Sequence, residues 1–217
     1  MRVVIFTLIG IIAFLGAIAF INKNDNESKI DVNKKGKIIL IITLSTTLIY
    51  IKYRASVEFY VYYYLTIYLI IVGYIDYKTK NVYSIFNWLT IVTGIGFLIY
   101  QKSIGIDISF TVLCVIIYII FAKFIGYFNM FGDGDTDIFI AISIFVSSVN
   151  LNTFPLVILL LNMILSNLVL IIFNIKLLDV RKMKFKEQLA FAPSIALSTF
   201  ILILILWFQG KLKEGEK

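Results

Sequence analysis

The residues with the clearest capacity for chemistry are two groups of acids that each adjoin a long apolar stretch. Asp76 directly follows an uncharged run, and Asp133, Asp135 and Asp137 directly precede another. Two carboxyl groups held close together in a partly dry site share one proton, because both cannot ionise. The ionised member can then take a proton from water while the protonated member polarises a carbonyl, which is a route to hydrolysis of an amide.

Two glycines alternate with the second group of acids. Gly132 and Gly134 are expected to adopt positive φ and to let the backbone approach a substrate closely. Asp135 is expected near the N-terminus of a helix, where the helix dipole favours its ionised form. We therefore take Asp76 and Asp135 as the candidate catalytic pair, and the flanking residues as determinants of loop geometry or substrate binding.

Each acid also has a purely structural interpretation. Asp76 fits an acid at the end of a helix that pairs with Lys78 or Lys80. Asp135 or Asp137 fits a helix cap, because aspartate is a preferred residue at that position.

The composition excludes several other chemistries. The chain has no histidine and one cysteine, Cys114, which rules out histidine-based catalysis, histidine metal ligation, disulfide frameworks and cysteine-built zinc sites. Asp133, Asp135 and Asp137 have the spacing of a calcium loop, but Ile138 stands where such a loop needs glycine, and no glutamate closes it. We expect neither a metal nor another cofactor.

The elements that hold these acids are predicted to be membrane helices. In 217 residues, 60% are hydrophobic and 15% charged, with a mean hydropathy of +0.96, which is more apolar surface than a small water-soluble core can bury. A spanning helix needs roughly 20 apolar residues. We predict one all-α, polytopic transmembrane bundle in a lipid bilayer, a single domain over 1–217 with about eight spans: 3–21, 38–51, 59–75, 81–101, 108–128, 138 to a turn at 150–155, that turn to 175, and 188–210.

The positions of the two acids follow from this plan. Two helices, 81–101 and 108–128, separate Asp76 from Asp135, so both acids return to the same side of the membrane. The second span is the shortest and requires Lys37 and Lys52 to extend toward the interfaces.

The basic residues predict which side that is. Twelve lysines and arginines fall in the loops 22–37, 77–82 and 176–187, against seven in the opposite loops and the termini. Cytoplasmic loops carry the excess of basic residues, so the acids are predicted at the cytoplasmic face. The net charge of +7 is explained by this topology and by anionic lipid, and we expect no nucleic-acid partner.

With these motifs, the chain resembles the type IV prepilin peptidases and the archaeal preflagellin peptidases, which are GxGD membrane aspartic proteases. Gly132-Asp133-Gly134-Asp135 matches the signature, Asp76 stands where the family has its other catalytic aspartate, and the segment 187–197 (EQLAFAPSIAL) resembles the family's late proline-containing segment. The resemblance implies a cell-membrane endopeptidase of prokaryotes that removes the basic leader from pilin-like precursors with a hydrophobic helix.

The chain departs from the family pattern at three places. Residues 82–84 (VYS) replace the usual Ile-Pro-Asn or Ile-Pro-Asp, and Asp137 replaces a lysine. An acid at position 137 is expected to raise the pKa of Asp135. The short loop 22–37 lacks the cysteine pairs of many bacterial members, so the family's second activity, methylation of the new N-terminus, is not expected here.

Two other functions stay open from the sequence. A proton- or cation-coupled transporter would also carry acids in its membrane segments, and an inactive relative would serve as a membrane scaffold. Lys123 is expected to extend toward the cytoplasm, with pairing to an acid in the bundle as the alternative. The tyrosines of 60–68 are expected to form an interfacial belt that continues into a helix.

Overall fold

The architecture is a bundle of helices. The structure, a computed structural model, describes residues 1–25, 29–30, 35–128, 131–149, 155–179, 184–185 and 189–205. These residues form eight helices: α1 (Arg2–Asn24), α2 (Lys35–Tyr53), α3 (Val57–Thr79), α4 (Ser84–Ser103), α5 (Ser109–Tyr127), α6 (Asp133–Val149), α7 (Pro155–Phe173) and α8 (Ala192–Ile205). A 3-10 turn (Ile175–Leu177) and a short antiparallel hairpin, β1 (Leu178–Asp179) with β2 (Lys184–Phe185), follow α7. The hairpin lies within the predicted basic loop and was not predicted.

Six of the eight helices, α1 to α5 and α7, are long and apolar enough to cross a membrane. The remaining two are shorter, with 17 residues in α6 and 14 in α8. The prediction of an all-α, multi-pass membrane bundle is therefore confirmed. The predicted turn at 150–155 lies mostly outside the described residues, as does the end of the eighth predicted span, 206–210.

Two helix starts differ from the prediction, and local chemistry explains both. Helix α6 begins at Asp133 and not at 138, because acids are favoured in the first turn of a helix and the backbone N–H of Thr136 bonds to the carbonyl of Gly132 at 3.0 Å. Helix α8 begins at Ala192 and not at 188, with Pro193 in its first turn, where a missing N–H costs nothing.

Helices α3 and α6 lie at the centre of the bundle. In α3, 14 of 23 residues are buried, and in α6 12 of 17, whereas α1 buries 6 of 23. Helix α3 packs against α1, α2, α4, α6 and α8, and α6 packs against α3, α4, α5, α7 and α8. Asp76 lies in the last turn of α3 and Asp135 in the first turn of α6, so the two central helices carry the two candidate catalytic residues.

The predicted tyrosine belt is wrong for three of its members, whereas Tyr60 is exposed. Tyr62, Tyr63 and Tyr68 are all buried in the core of the bundle. Their hydroxyls require hydrogen-bond partners there, and Tyr63 donates to the carbonyl of Phe6 on α1 at 2.6 Å.

A buried polar cluster joins α7 to α8. The amide of Asn162 donates to Oγ1 of Thr199 at 3.0 Å and accepts from Oγ of Ser198 at 2.9 Å, and Ser198 lies 2.5 Å from Oγ of Ser166. Each member is bonded, so the cluster holds the two helices in one register. It thereby sets the height of α8, whose first turn reaches the candidate site.

The other end of α8 is held by α2. Lys52 donates from Nζ to the carbonyls of Ile203 and Leu204, and Tyr53 donates to the carbonyl of Ile203 at 2.9 Å. Lys52 thus bonds to carbonyls near the end of the described part of α8, and its extension toward the interface stays a prediction. Lys37 is exposed, as expected.

Candidate active site

Asp76 is buried where α3 meets the start of α8. Its side chain is only 4% exposed, and its Oδ2 accepts a hydrogen bond of 2.9 Å from the backbone N–H of Ala192. Ala192 is the first residue of α8, so the carboxylate of Asp76 occupies the positive end of that helix. This hydrogen bond offsets part of the cost of burying the anion.

A glycine in α3 makes this contact possible. A β-carbon built on Gly73 would lie 3.4 Å from Cα of Pro193, so the backbones of α3 and α8 approach closely at this level. Gly73 is three residues before Asp76 and therefore lies on the same face of α3. The small residue lets Ala192 reach the carboxylate.

Asp76 does not form the ion pair that its structural interpretation required. The only ion pair among the described residues lies elsewhere, between Lys123 and Asp137. The amine of Lys78 lies 5.9 Å from the ring centre of Tyr74, and that of Lys80 lies 5.8 Å from the ring centre of Tyr77.

Asp135 is the third residue of α6, as the expectation of a position near a helix start required. Its carboxyl folds back toward Gly132 and accepts the backbone N–H of that residue. A β-carbon built on Gly132 would lie 3.1 Å from Oδ2 of Asp135, so a glycine leaves room for the carboxyl. The hydrogen bond also satisfies one of the free N–H groups at the start of the helix.

Gly134 brings this turn against the segment that follows Asp76. A β-carbon on Gly134 would lie 2.6 Å from Cβ of Val82, so the backbone of this turn lies against the Val82 side chain, and the expected approach to a substrate stays a prediction. The expected positive φ is wrong for both Gly132 and Gly134, because within the described chain Gly105 is the only glycine with positive φ. The motif forms the first turn of a regular helix, so no special backbone conformation requires glycine there. Gly134 is needed because a larger residue would collide with Val82.

A buried hydrogen-bonded chain fixes the same turn from the other side. The hydroxyl of Tyr68 donates to Oδ1 of Asn87 at 2.7 Å, and Nδ2 of Asn87 donates to the carbonyl of Gly134 at 3.1 Å. Asn87 is fully buried, and it links α3, α4 and α6. The sequence prediction missed both side chains. A lone asparagine in an apolar helix was the available signal, because such a residue must find partners within the bundle.

The two candidate catalytic residues interact. Burial, together with the negative charge of Asp76, raises the pKa of Asp135 to about 7 from the ordinary aspartate value of 3.8. The segments that precede the two helix starts are also in contact, because Phe131 stacks on Phe191 with ring centres 5.3 Å apart. Phe131 precedes the glycine motif and Phe191 precedes Ala192, so the first turns of α6 and α8 meet beside both acids.

The other two acids of the motif, Asp133 and Asp137, lie in different surroundings. Asp133 is exposed, whereas Asp137 is partly buried and forms an ion pair of 2.8 Å with Lys123 of α5. The alternative interpretation of Lys123, pairing with an acid of the bundle, is therefore confirmed. Burial and the charge of Asp76 raise the pKa of Asp135, and Asp137 is not among the groups that do so, contrary to expectation.

The described residues contain no group of three acids, cysteines or histidines placed to hold a metal ion. No family model, curated protein or solved structure matches the chain. The resemblance to the type IV prepilin peptidases therefore stays a prediction from the sequence motifs.

Proposed function

We propose that this chain is a membrane aspartic endopeptidase that uses Asp76 and Asp135. The observation that carries the proposal is the convergence of the two carboxyls at one end of the bundle, where burial and then the negative charge of Asp76 raise the pKa of Asp135 to about 7, while the N–H of Ala192 stabilises the carboxylate of Asp76. At neutral pH such a pair holds a single proton. This is the state that acid–base hydrolysis by two carboxyls requires.

In the proposed reaction, Asp76 acts as the base and Asp135 as the acid. Asp76 takes a proton from a water molecule, whose oxygen attacks the carbonyl carbon of the scissile amide, and Asp135 donates its proton to the carbonyl oxygen. When the tetrahedral intermediate collapses, the C–N bond breaks, the leaving amine takes up the proton held by Asp76, and one hydroxyl of the intermediate returns its proton to Asp135 as the carboxyl product forms. No metal or cofactor takes part in this reaction.

The proposed substrates are precursors of pilin-like proteins, with a short basic leader ending in glycine and an apolar helix. The chain would lie in the cytoplasmic membrane of a prokaryote, with both aspartates at the cytoplasmic face, where a basic leader also remains. The exposed carboxylate of Asp133 favours the approach of such a leader through its charge.

The test is coexpression of the chain with candidate precursors, with the mass of the mature N-terminus as the readout. We expect Asp76→Asn and Asp135→Asn each to lower cleavage by about 10²- to 10⁴-fold. Asp107→Asn is the matched control, because Asp107 is an exposed acid just before α5. Normal processing by either active-site variant would refute the proposal, and ion flux into liposomes without any precursor would favour a transporter instead.

A further inference from the structure

Three phenylalanines meet where α6 and α8 begin, and we call them the phenylalanine cluster. Phe131 stacks on Phe191 with ring centres 5.3 Å apart. Both rings also pack with Phe139 of α6, at centre distances of 5.4 Å from Phe131 and 6.1 Å from Phe191. Phe139 is fully buried, Phe191 is buried and Phe131 is half-buried, so the cluster extends from the core of the bundle to the candidate active site.

Each of the two outer rings belongs to a segment that bonds to one of the candidate catalytic residues. Phe131 immediately precedes the glycine whose backbone N–H bonds to the carboxyl of Asp135. Phe191 immediately precedes Ala192, whose backbone N–H donates to Oδ2 of Asp76 at 2.9 Å. The stack of Phe131 on Phe191 therefore connects the two backbone donors that hold the two carboxyls.

The cluster also supplies a contact that the hydrogen bonds of α8 do not. The described hydrogen bonds of α8 to other helices lead to Lys52 and Tyr53 of α2, Asp76 of α3 and Asn162 and Ser166 of α7. The rings join α8 to α6. Aromatic pairs prefer particular separations and angles, and a close-packed interior transmits a displacement to its neighbours. The ring stack is thus placed to fix the start of α8 relative to the start of α6.

We propose that Phe131 and Phe191 are positioning residues that set the separation of Asp76 and Asp135, an inference that rests on the proposed peptidase function. The two rings act through the first turns of α6 and α8 and take no part in proton transfer. Loss of the stack lets these two turns move apart. Because a misplacement of about 1 Å can cost about 10²-fold in rate, the stack should affect kcat more than KM.

The test compares two ring stacks of similar geometry that involve α6 or the residues just before it. Phe131→Leu removes the stack on Phe191, and Phe145→Leu removes a stack on Tyr64 of α3 whose ring centres are 5.2 Å apart. The angle between the rings is 25° in the first stack and 26° in the second. Phe145 lies ten residues after Asp135, about 15 Å along the helix, and is the matched control.

The first readout is cleavage of a synthetic precursor with a basic leader ending in glycine and an apolar helix of about 20 residues. We expect Phe131→Leu to lower kcat by up to about 10²-fold with little change in KM, and Phe131→Tyr, which keeps the ring, to resemble the unchanged chain. Phe191→Leu removes the same stack, so combining it with Phe131→Leu should lower kcat by less than the product of the two single effects. Equal kcat values for Phe131→Leu and Phe145→Leu would overturn the inference.

The pH dependence of cleavage distinguishes a change of separation from a general loss of packing. A larger separation weakens the effect of the charge of Asp76 on Asp135, so the alkaline limit of cleavage should move to lower pH in Phe131→Leu and stay unchanged in Phe145→Leu. The other charged side chains on the described elements around the pair are Asp133 and Asp137 of α6, Lys123 of α5, and Lys78 and Lys80 at the end of α3. The variants alter none of these charges, and an unmoved limit in Phe131→Leu would contradict the positioning role.

Thermal unfolding in detergent separates the failure of this inference from the failure of the proposed function. The folded chain holds the proton of Asp135 up to about pH 7, so this group makes the unfolding temperature fall between pH 4 and pH 7. We expect a smaller fall in Phe131→Leu and an unchanged fall in Phe145→Leu, whether or not a precursor is cleaved. If the unchanged chain cleaves and Phe131→Leu keeps the full fall, the positioning role is refuted and the peptidase stands. If the fall shrinks but the unchanged chain cleaves nothing, the peptidase is refuted and the positioning of the two carboxyls stands.

Discussion

Gly134 and Val82 are in such close contact that a β-carbon at position 134 would lie 2.6 Å from Cβ of Val82, which is a collision. Val82 lies in the segment that joins α3 to α4, six residues after Asp76, and Gly134 immediately precedes Asp135. The contact therefore holds the first turn of α6 against the segment that follows α3. A glycine is required here by the space between two segments.

This contact predicts that Gly134→Ala impairs catalysis. In a free helix alanine would be more stable than glycine by about 1 kcal/mol, so a loss of activity would arise from the displaced turn and not from a weaker helix. A displacement of about 1 Å can cost about 10²-fold in rate, and we expect a fall of that order in kcat. Precursor cleavage under saturating substrate measures it.

Two further variants check the cause. Val82→Gly removes all three atoms that the new β-carbon would meet, so the double variant Gly134→Ala with Val82→Gly should recover activity relative to Gly134→Ala alone. Gly96→Ala on α4, where no atom lies within 4 Å, should behave like the unchanged chain. Equal activity of Gly134→Ala and Gly96→Ala would contradict the steric argument.

The hydrogen-bonded chain from Tyr68 through Asn87 to Gly134 gives a second prediction. Asn87→Leu leaves the hydroxyl of Tyr68 without its partner, which should cost about 1–3 kcal/mol, and removes the side-chain hydrogen bond to the carbonyl of Gly134. We expect a lower unfolding temperature in detergent and a lower kcat with little change in KM, since Asn87 positions the turn that carries Asp135.

A double-mutant cycle separates this network from simple packing. Tyr68→Phe removes the hydroxyl that Asn87→Leu would strand, so the combined variant should be less destabilised than the sum of the two single variants. Additive losses of stability would show that the two side chains act separately.

The sequence was sufficient to predict the helices and to place both acids at the same end of the bundle. Long uncharged runs between basic loops define most spans, and the side on which Asp135 lies depends only on the two helices that separate it from Asp76. These inferences need only the local composition of the chain, which a single sequence provides, and the known length of a membrane-spanning helix.

The contacts that complete the site could not be predicted in this way. The N–H of Ala192 reaches Asp76 across 116 positions of sequence, and Asn87 reaches Gly134 across 47. Such contacts depend on how α8 and α4 pack, which hydropathy does not specify. The sequence left open whether Lys123 pairs with an acid and did not identify Asp137 as the partner, because the two residues lie on different helices.

The ion pair between Lys123 and Asp137 leads to a third prediction. Asp137→Lys removes the pair, and because Lys123 is 54% exposed, its loss should cost no more than about 1 kcal/mol of stability. The new cation should lower the pKa of Asp135. We expect cleavage to persist, with its alkaline limit moved to lower pH. The exchange Lys123→Asp with Asp137→Lys restores an ion pair and should move that limit back, and complete loss of cleavage in both would assign Asp137 a direct role.

The shared proton predicts how stability and activity depend on pH. Asp135 has a pKa of about 7 in the folded chain, against 3.8 for an ordinary aspartate. Between these values the folded chain keeps a proton that the unfolded chain has released, so stability is greatest below about pH 4 and falls as the pH rises toward 7, as far as this group is concerned. Since the proposed acid is the protonated form, cleavage should also decline above about pH 7.

Asp135→Asn separates this effect from the titration of other groups. An amide cannot release the proton, so the variant should lose the fall in unfolding temperature between pH 4 and pH 7 that the unchanged chain shows in the same detergent. Asp107→Asn should keep that fall, because Asp107 is exposed and far along the chain from the pair. If the unchanged chain and Asp135→Asn had the same pH dependence of unfolding, Asp135 would not hold the proton at neutral pH, and the division of roles between Asp135 and Asp76 would be wrong.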